Sequence, residues 1–211
     1  MGAAGPTRLD EAALRVGVGS LGARDADLAG IVARHGPPPL WARPPGFATL
    51  VHIILEQQVS LRSAEAALTR LVAATGEVTP DAIVAAGPER LLGAGLTRQK
   101  TRYLVALAQR VTDGRLDLDA LETADDDAAR RALLAVVGIG PWTADIYLLM
   151  ALGRPDIWPT GDLALATAMR TAKRLPAIPR PDEQAGIAEA WQPLRAVAAR
   201  ILWHAYLQGE R

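Results

Sequence analysis

Between Leu133 and Asp145 the chain reads as two helices joined by a tight turn. Leu133, Leu134, Val136 and Val137 are apolar packing positions of the first helix, and Gly138-Ile139-Gly140 interrupts it. Pro141 suits the first turn of the second helix, where its missing N–H would have had no partner anyway. Gly138 and Gly140 permit positive φ and let another backbone come close without a Cβ in the way. Amides at such a helix start point outward, and a phosphate can accept from them. Downstream, Pro159-Thr160-Gly161-Asp162 places one carboxylate in a loop at the start of another helix. An isolated Gly-x-Gly is usually an interhelical turn with no ligand. A hairpin of this kind followed by a poised acid points instead to chemistry on a nucleic acid.

The rest of the chain fits the same architecture. Alanine and leucine recur at helical spacing with few β-branched alternations, so the spacing predicts an all-α fold. Helices are expected at about 8–16, 24–34, 46–58, 61–74, 79–86 and 98–113, and again at 125–136, 141–152, 162–174, 182–191 and 193–208. Glycine and proline punctuate them at Gly36-Pro37-Pro38-Pro39, Pro44-Pro45-Gly46, Gly87-Pro88 and Gly153-Arg154-Pro155. Asp125-Asp126-Asp127 reads as a first helical turn, where carboxylates oppose the dipole. One domain of 211 residues is expected, with a central lobe at about 46–160 and a second lobe from 1–45 plus 161–211. A base-binding cleft is expected between the lobes.

Composition removes several function classes. There is no cysteine, so disulfides, a cysteine nucleophile and a cysteine-held iron–sulfur cluster are excluded. His35, His52 and His204 are dispersed without metal-ligand spacing, and no metal held by side chains and no cofactor is expected. No apolar run reaches the roughly 20 residues a bilayer-spanning helix needs, and no secretory leader is visible. A cytoplasmic enzyme is the expectation. The formal net charge is zero, yet only Lys100 and Lys173 are lysines and the remaining cations are arginines. Arg98, Lys100, Arg102 and Arg110 form one acid-free stretch, and Arg170, Lys173, Arg174 and Arg180 another. Each is compatible with a solvated helix face or a small phosphate-binding face.

Four blocks carry a family resemblance. Gly138-Ile139-Gly140-Pro141-Trp142-Thr143-Ala144 with Pro159-x-x-Asp162 resembles the helix-hairpin-helix and Gly/Pro-Asp signature of base-excision DNA glycosylases, especially the AlkA-type 3-methyladenine branch. Glu56-Gln57-Gln58-Val59-Ser60, Gly95-Leu96-Thr97-Arg98-Gln99-Lys100, and Trp191-x-Pro193-x-Arg195 with Leu202-Trp203 are similar to it too. The blocks run from about residue 46 to 208. Some AlkA-type enzymes begin with a β-rich domain, and this chain resembles a compact form without one.

The resemblance implies a monofunctional glycosylase acting on damaged double-stranded DNA, expected as a monomer that is nucleoid-associated through its substrate. Asp162 is then the catalytic carboxylate, stabilising an oxocarbenium-like sugar and orienting or deprotonating water. Its plain structural alternative is a helix N-cap. Asp145 and Glu56 are competing carboxylates with structural explanations. Trp142 stands where strand-cutting relatives carry a Schiff-base lysine. The implied base pocket comprises Trp142, Trp203, Ile146, Leu163 and Tyr147; Trp41, Trp158 and Trp191 read as core. The implied DNA contacts are Gln57, Gln58, Ser60, Gly138, Gly140, Thr143, Lys100 and Arg195, with Gln58 at the tip of a wedge. A cation on the hairpin carbonyls is compatible with the resemblance. No general acid is evident, which suits cationic alkylated purines that leave unaided. Ethenoadenine, hypoxanthine or a mismatched base remain alternative substrates, and a non-catalytic DNA-binding module remains an alternative class.

Overall fold

A computed structural model describes residues 8–210, and those residues contain helices and loops but no strand. In chain order the helices are α1 (Glu11–Arg24), α2 (Ala26–His35), α3 (Phe47–Glu56) and α4 (Leu61–Thr75). Then come α5 (Pro80–Gly93), α6 (Arg98–Thr112), α7 (Ala120–Thr123) and α8 (Asp126–Leu134). The last four are α9 (Pro141–Ile146), α10 (Leu163–Lys173), α11 (Pro181–Ala188) and α12 (Arg195–Leu207). A wider π-type turn, Tyr147–Ala151, continues α9, and a 3-10 turn, Glu189–Trp191, continues α11.

The chain forms two compact units. One comprises Arg43–Leu152; the other takes the described residues up to Ala42 together with those from Gly153 onward. The division therefore falls after Leu152 rather than near residue 160, so the loop leading to Asp162 belongs to the second unit. Residues 1–7 and 211, included in the expected second lobe, lie outside the described residues.

In the first unit α3 is the central element. Leu50, Val51, Ile53, Ile54 and Leu55 are all fully buried, and each such side chain contributes about 1.5–3 kcal/mol. The apolar face of this helix is buried, while Ala48, His52 and Glu56 follow one another at four-residue spacing along its more open side. The second unit is built on α12, where Ala196 to Trp203 are buried without interruption.

Two helices are longer than their spacing predicts. α1 continues through Gly17, Gly19 and Gly22 instead of ending at 16. Gly17 is packed against Val197 of α12, with space for little more than a hydrogen, so contact offsets the roughly 1 kcal/mol a helical glycine costs. Past residue 86, α5 is kinked at Gly87 (φ 65°), and Pro88 begins its second half. The short α7 carries no periodicity long enough to read. Asp125 does open α8, accepting from the Ala128 N–H at 2.7 Å.

Candidate functional site

The hairpin lies between α8 and α9. Gly138 has φ 95°, and a Cβ there would drive into the ring of Tyr103 from α6. Glycine is therefore required twice over, by conformation and by contact. Gly140 is different. Its φ of −91° is ordinary for any residue, and nothing lies within 4 Å of where a Cβ would stand. Gly140 thus does not use the positive φ open to it, and it leaves open space in front of the α9 start, whose first turn has no side-chain cap.

Three neighbours hold the hairpin in place. The Gln57 amide donates to the Gly138 carbonyl at 2.8 Å and to the Thr143 hydroxyl at 2.9 Å. The fully buried Asp145 accepts from Arg130 at 3.0 Å, tying α9 back to α8. Tyr103 sits under Gly138, its hydroxyl held by Gln99 at 2.7 Å. Thr143 is buried, so its side chain faces inward to Gln57 rather than outward to a phosphate.

The turn after α3 is equally constrained. Lys100 donates to the Leu55 carbonyl at 2.6 Å, filling one of the acceptors left open where α3 ends. Burial pushes the Lys100 ammonium below its usual range. Lys100 was expected on DNA; its charge instead completes a helix terminus. Arg43 forks onto Glu56 at 2.7 and 3.0 Å, which gives that carboxylate a structural role. Gln58 follows in the left-handed region (φ 57°) with its side chain exposed. Val59 is also exposed, and Ser60 caps α4 through the Ser63 N–H at 3.2 Å.

The acid belongs to the second unit. Asp162 is half-buried at the N-cap of α10, and its Oδ1 accepts from the Leu165 N–H at 2.9 Å. The same oxygen accepts from the Trp203 indole N–H at 3.3 Å. Asp162 is therefore the N-cap of α10, and the cap fixes the direction of its carboxylate. Gly161, with φ 84°, turns the chain into that cap. Arg195 stands at the base of the loop, forking onto Asp156 at 2.9 and 3.0 Å, while Ala196 N–H donates to the Pro155 carbonyl at 2.9 Å. Arg195 was expected either to support the site or to contact the DNA backbone, and its guanidinium is engaged in staking down the loop that leads to Asp162.

The aromatic positions also separate. Trp203 is 8% exposed and binds Asp162 by its edge. Leu163 is 70% exposed, Trp142 half-buried and Ile146 buried. Tyr147 is fully buried, and its hydroxyl accepts from the Gly46 N–H at 2.9 Å. Burial raises the pKa of that hydroxyl, so it stays neutral. This corrects Tyr147 from a pocket residue to a packing residue of the first unit. Trp158 and Trp191 pack in the second unit with ring centroids 5.4 Å apart. No spacing rule in one dimension announces the Gln57 and Trp203 bonds. Among the described residues no group of acidic, histidine or cysteine side chains is arranged to hold a metal ion, and no helix is long and apolar enough to cross a membrane.

Comparison with known proteins agrees with this geometry. A family model described as HhH-GPD superfamily base excision DNA repair protein matches residues 51–193. The YfjP protein of Bacillus subtilis is 27% identical over 184 residues, covering 83% of this chain and 64% of that protein. The AlkA protein of Mycobacterium tuberculosis is 37% identical over 166 residues, covering 72% of this chain and 32% of that protein. The chain therefore spans less than two thirds of the length of either relative. The solved DNA-3-methyladenine glycosidase of Bacillus halodurans superposes with a TM-score of 0.77 at 29% identity, covering 90% of this chain and 88% of that one. With a family match over most of its length and the hairpin and acid in place, the chain belongs to the HhH-GPD superfamily of base excision DNA repair proteins.

Proposed function

We propose that this protein is a monofunctional DNA glycosylase that hydrolyses the N-glycosidic bond of alkylated purines, of the 3-methyladenine and 7-methylguanine type, in double-stranded DNA. The observation that carries the reading is the double anchorage of Asp162 Oδ1 by Leu165 N–H and the Trp203 indole. A carboxylate so fixed needs no reorganisation when positive charge develops on the deoxyribose, and it can orient the incoming water. The scissile bond lies inside a stack, so the nucleotide must first be extruded at a cost of a few kcal/mol. The exposed Gln58 tip is suited to filling the space left behind. A cationic purine departs as a neutral base without protonation, which removes the need for a general acid.

Hydrolysis rather than strand cleavage is favoured by the chain's lysines. An imine mechanism needs a free amine. Trp142 occupies the position after the hairpin, Lys100 binds the Leu55 carbonyl, and Lys173 lies between Asp25 and Asp27 at 2.8 and 3.0 Å. Both lysine side chains are committed. The substrate class is supported by the Bacillus halodurans glycosidase, similar over nearly its whole length.

The test is base release from methylated duplex DNA by wild type and Asp162→Asn, with strand breaks scored before and after alkali. The expected result is release by wild type that is lost in the variant, with breaks only after alkali. DNA binding without release of either methylated base would sink the alkyl-purine reading and leave another lesion or a binding module.

A further inference from the structure

Gln57 and Gln58 are adjacent, yet they face different tasks. Gln58 is the exposed tip of the turn, whereas both amide hydrogens of Gln57 are spent on the hairpin. The Gly138 carbonyl can only accept, so the amide group of Gln57 must present its nitrogen there. We propose that Gln57 is a positioning residue that fixes the register between the Gln58 tip and the hairpin, so that gripping the backbone and opening the stack occur as one event. This inference rests on the proposed action on duplex DNA.

The surrounding contacts give the bond its leverage. α6 braces both parts from one face: Lys100 holds the end of α3, and Tyr103, three residues later, sits beneath Gly138. Arg43 secures Glu56, immediately before Gln57. The turn and the hairpin thus form a triangle whose third side is the Gln57 amide. Without it, Gln58 keeps its left-handed turn, but that turn loses the side-chain bond that ties it to the Gly138 carbonyl. A displaced tip matters only when a stacked, paired nucleotide must be expelled.

The distinguishing measurement compares single-turnover release of 7-methylguanine from a fully paired duplex and from a small unpaired bubble. Gln57→Ala is expected to slow release from the duplex about tenfold and from the bubble less than about threefold, as for loss of a buried hydrogen-bond pair. Gln57→Glu keeps the shape but turns a carboxylate toward the Gly138 carbonyl, and it should behave like the alanine variant. Gln58→Ala should show the same substrate bias, and combining it with Gln57→Ala should add little. Equal losses on both substrates, or fully additive losses, would overturn the proposal by making Gln57 a residue of general stability. Should Gln57→Ala fail to fold, Thr143→Val removes one acceptor and is expected to give the same bias at about threefold. A duplex carrying 2-aminopurine beside a tetrahydrofuran abasic analogue separates this idea from the proposed hydrolysis. Wild type should raise the 2-aminopurine fluorescence on binding, and Gln57→Ala should bind with a smaller rise. That pattern without any base release would defeat the hydrolysis and keep the positioning role. No rise with wild type would defeat the positioning role.

Discussion

The hairpin of the first unit and the acid of the second are built on opposite principles. The hairpin is a shape: its turn depends on backbone at Gly138 and Gly140, and side chains such as Gln57, Tyr103 and Arg130 brace it. The acid is a charge: one carboxylate, oriented by an N–H and an indole, on an otherwise ordinary helix start. A surface made of backbone tolerates no added atom where it is packed. A site made of one side chain tolerates changes of shape nearby but no loss of charge.

This contrast can be broken most forcefully at the glycines. Gly138→Ala must place a side chain at φ 95° and displace the Tyr103 ring, which together cost about 3–5 kcal/mol. Gly140→Ala meets neither obstacle and is expected to change stability by less than about 1 kcal/mol. Chemical denaturation of the pair decides the matter, and equal losses would mean that the hairpin is not shape-limited. At the acid, Asp162→Asn keeps a side-chain oxygen for the Leu165 N–H but removes the charge. Base release should fall by about 10²–10³-fold while the melting temperature moves by only a few degrees. A large thermal loss would show that its main work is capping. A smaller effect is expected from Trp203→Phe, which removes the 3.3 Å bond and retains most of the ring. Single-turnover release should slow about three- to tenfold, with DNA affinity little changed.

The smallest effect concerns pH. Asp25 accepts from Lys173, the Trp191 indole and the Leu28 N–H within the second unit. Burial pushes its carboxyl up, but these partners outweigh burial and hold it below 3.8. A depressed folded pKa contributes stability above the unfolded value, and that contribution disappears as pH falls through the folded value. The melting temperature should therefore drop on acidification below 3.8, and Asp25→Asn should be less stable at neutral pH with a flatter acid limb. A variant with an unchanged acid limb would remove Asp25 from that role.

Much of this molecule was legible along the chain because helices announce themselves locally. Apolar spacing located most of the helices, and Asp125 and Asp162 fall where carboxylates stabilise helix starts. Glycine was harder to read: Gly17 sits inside a helix because Val197 packs on it, and of the two hairpin glycines that permit positive φ only Gly138 uses it. Cations were the least legible. Lys100 and Arg195 meet partners 45 and 39 residues away, and a positive charge carries no mark of which acceptor the fold will bring to it. The same holds for Tyr147, whose hydroxyl partner Gly46 is 101 residues distant.

One consequence follows from α10 as a mechanical part. It begins at Asp162 and runs about 16 Å at 1.5 Å per residue to Lys173, which is clamped by Asp25 and Asp27. The helix is in effect a short rod with the Asp162 carboxylate at one end and an ionic clamp at the other. A loosened clamp lets the rod pivot, so the direction of that carboxylate is adjustable from about three helical turns away.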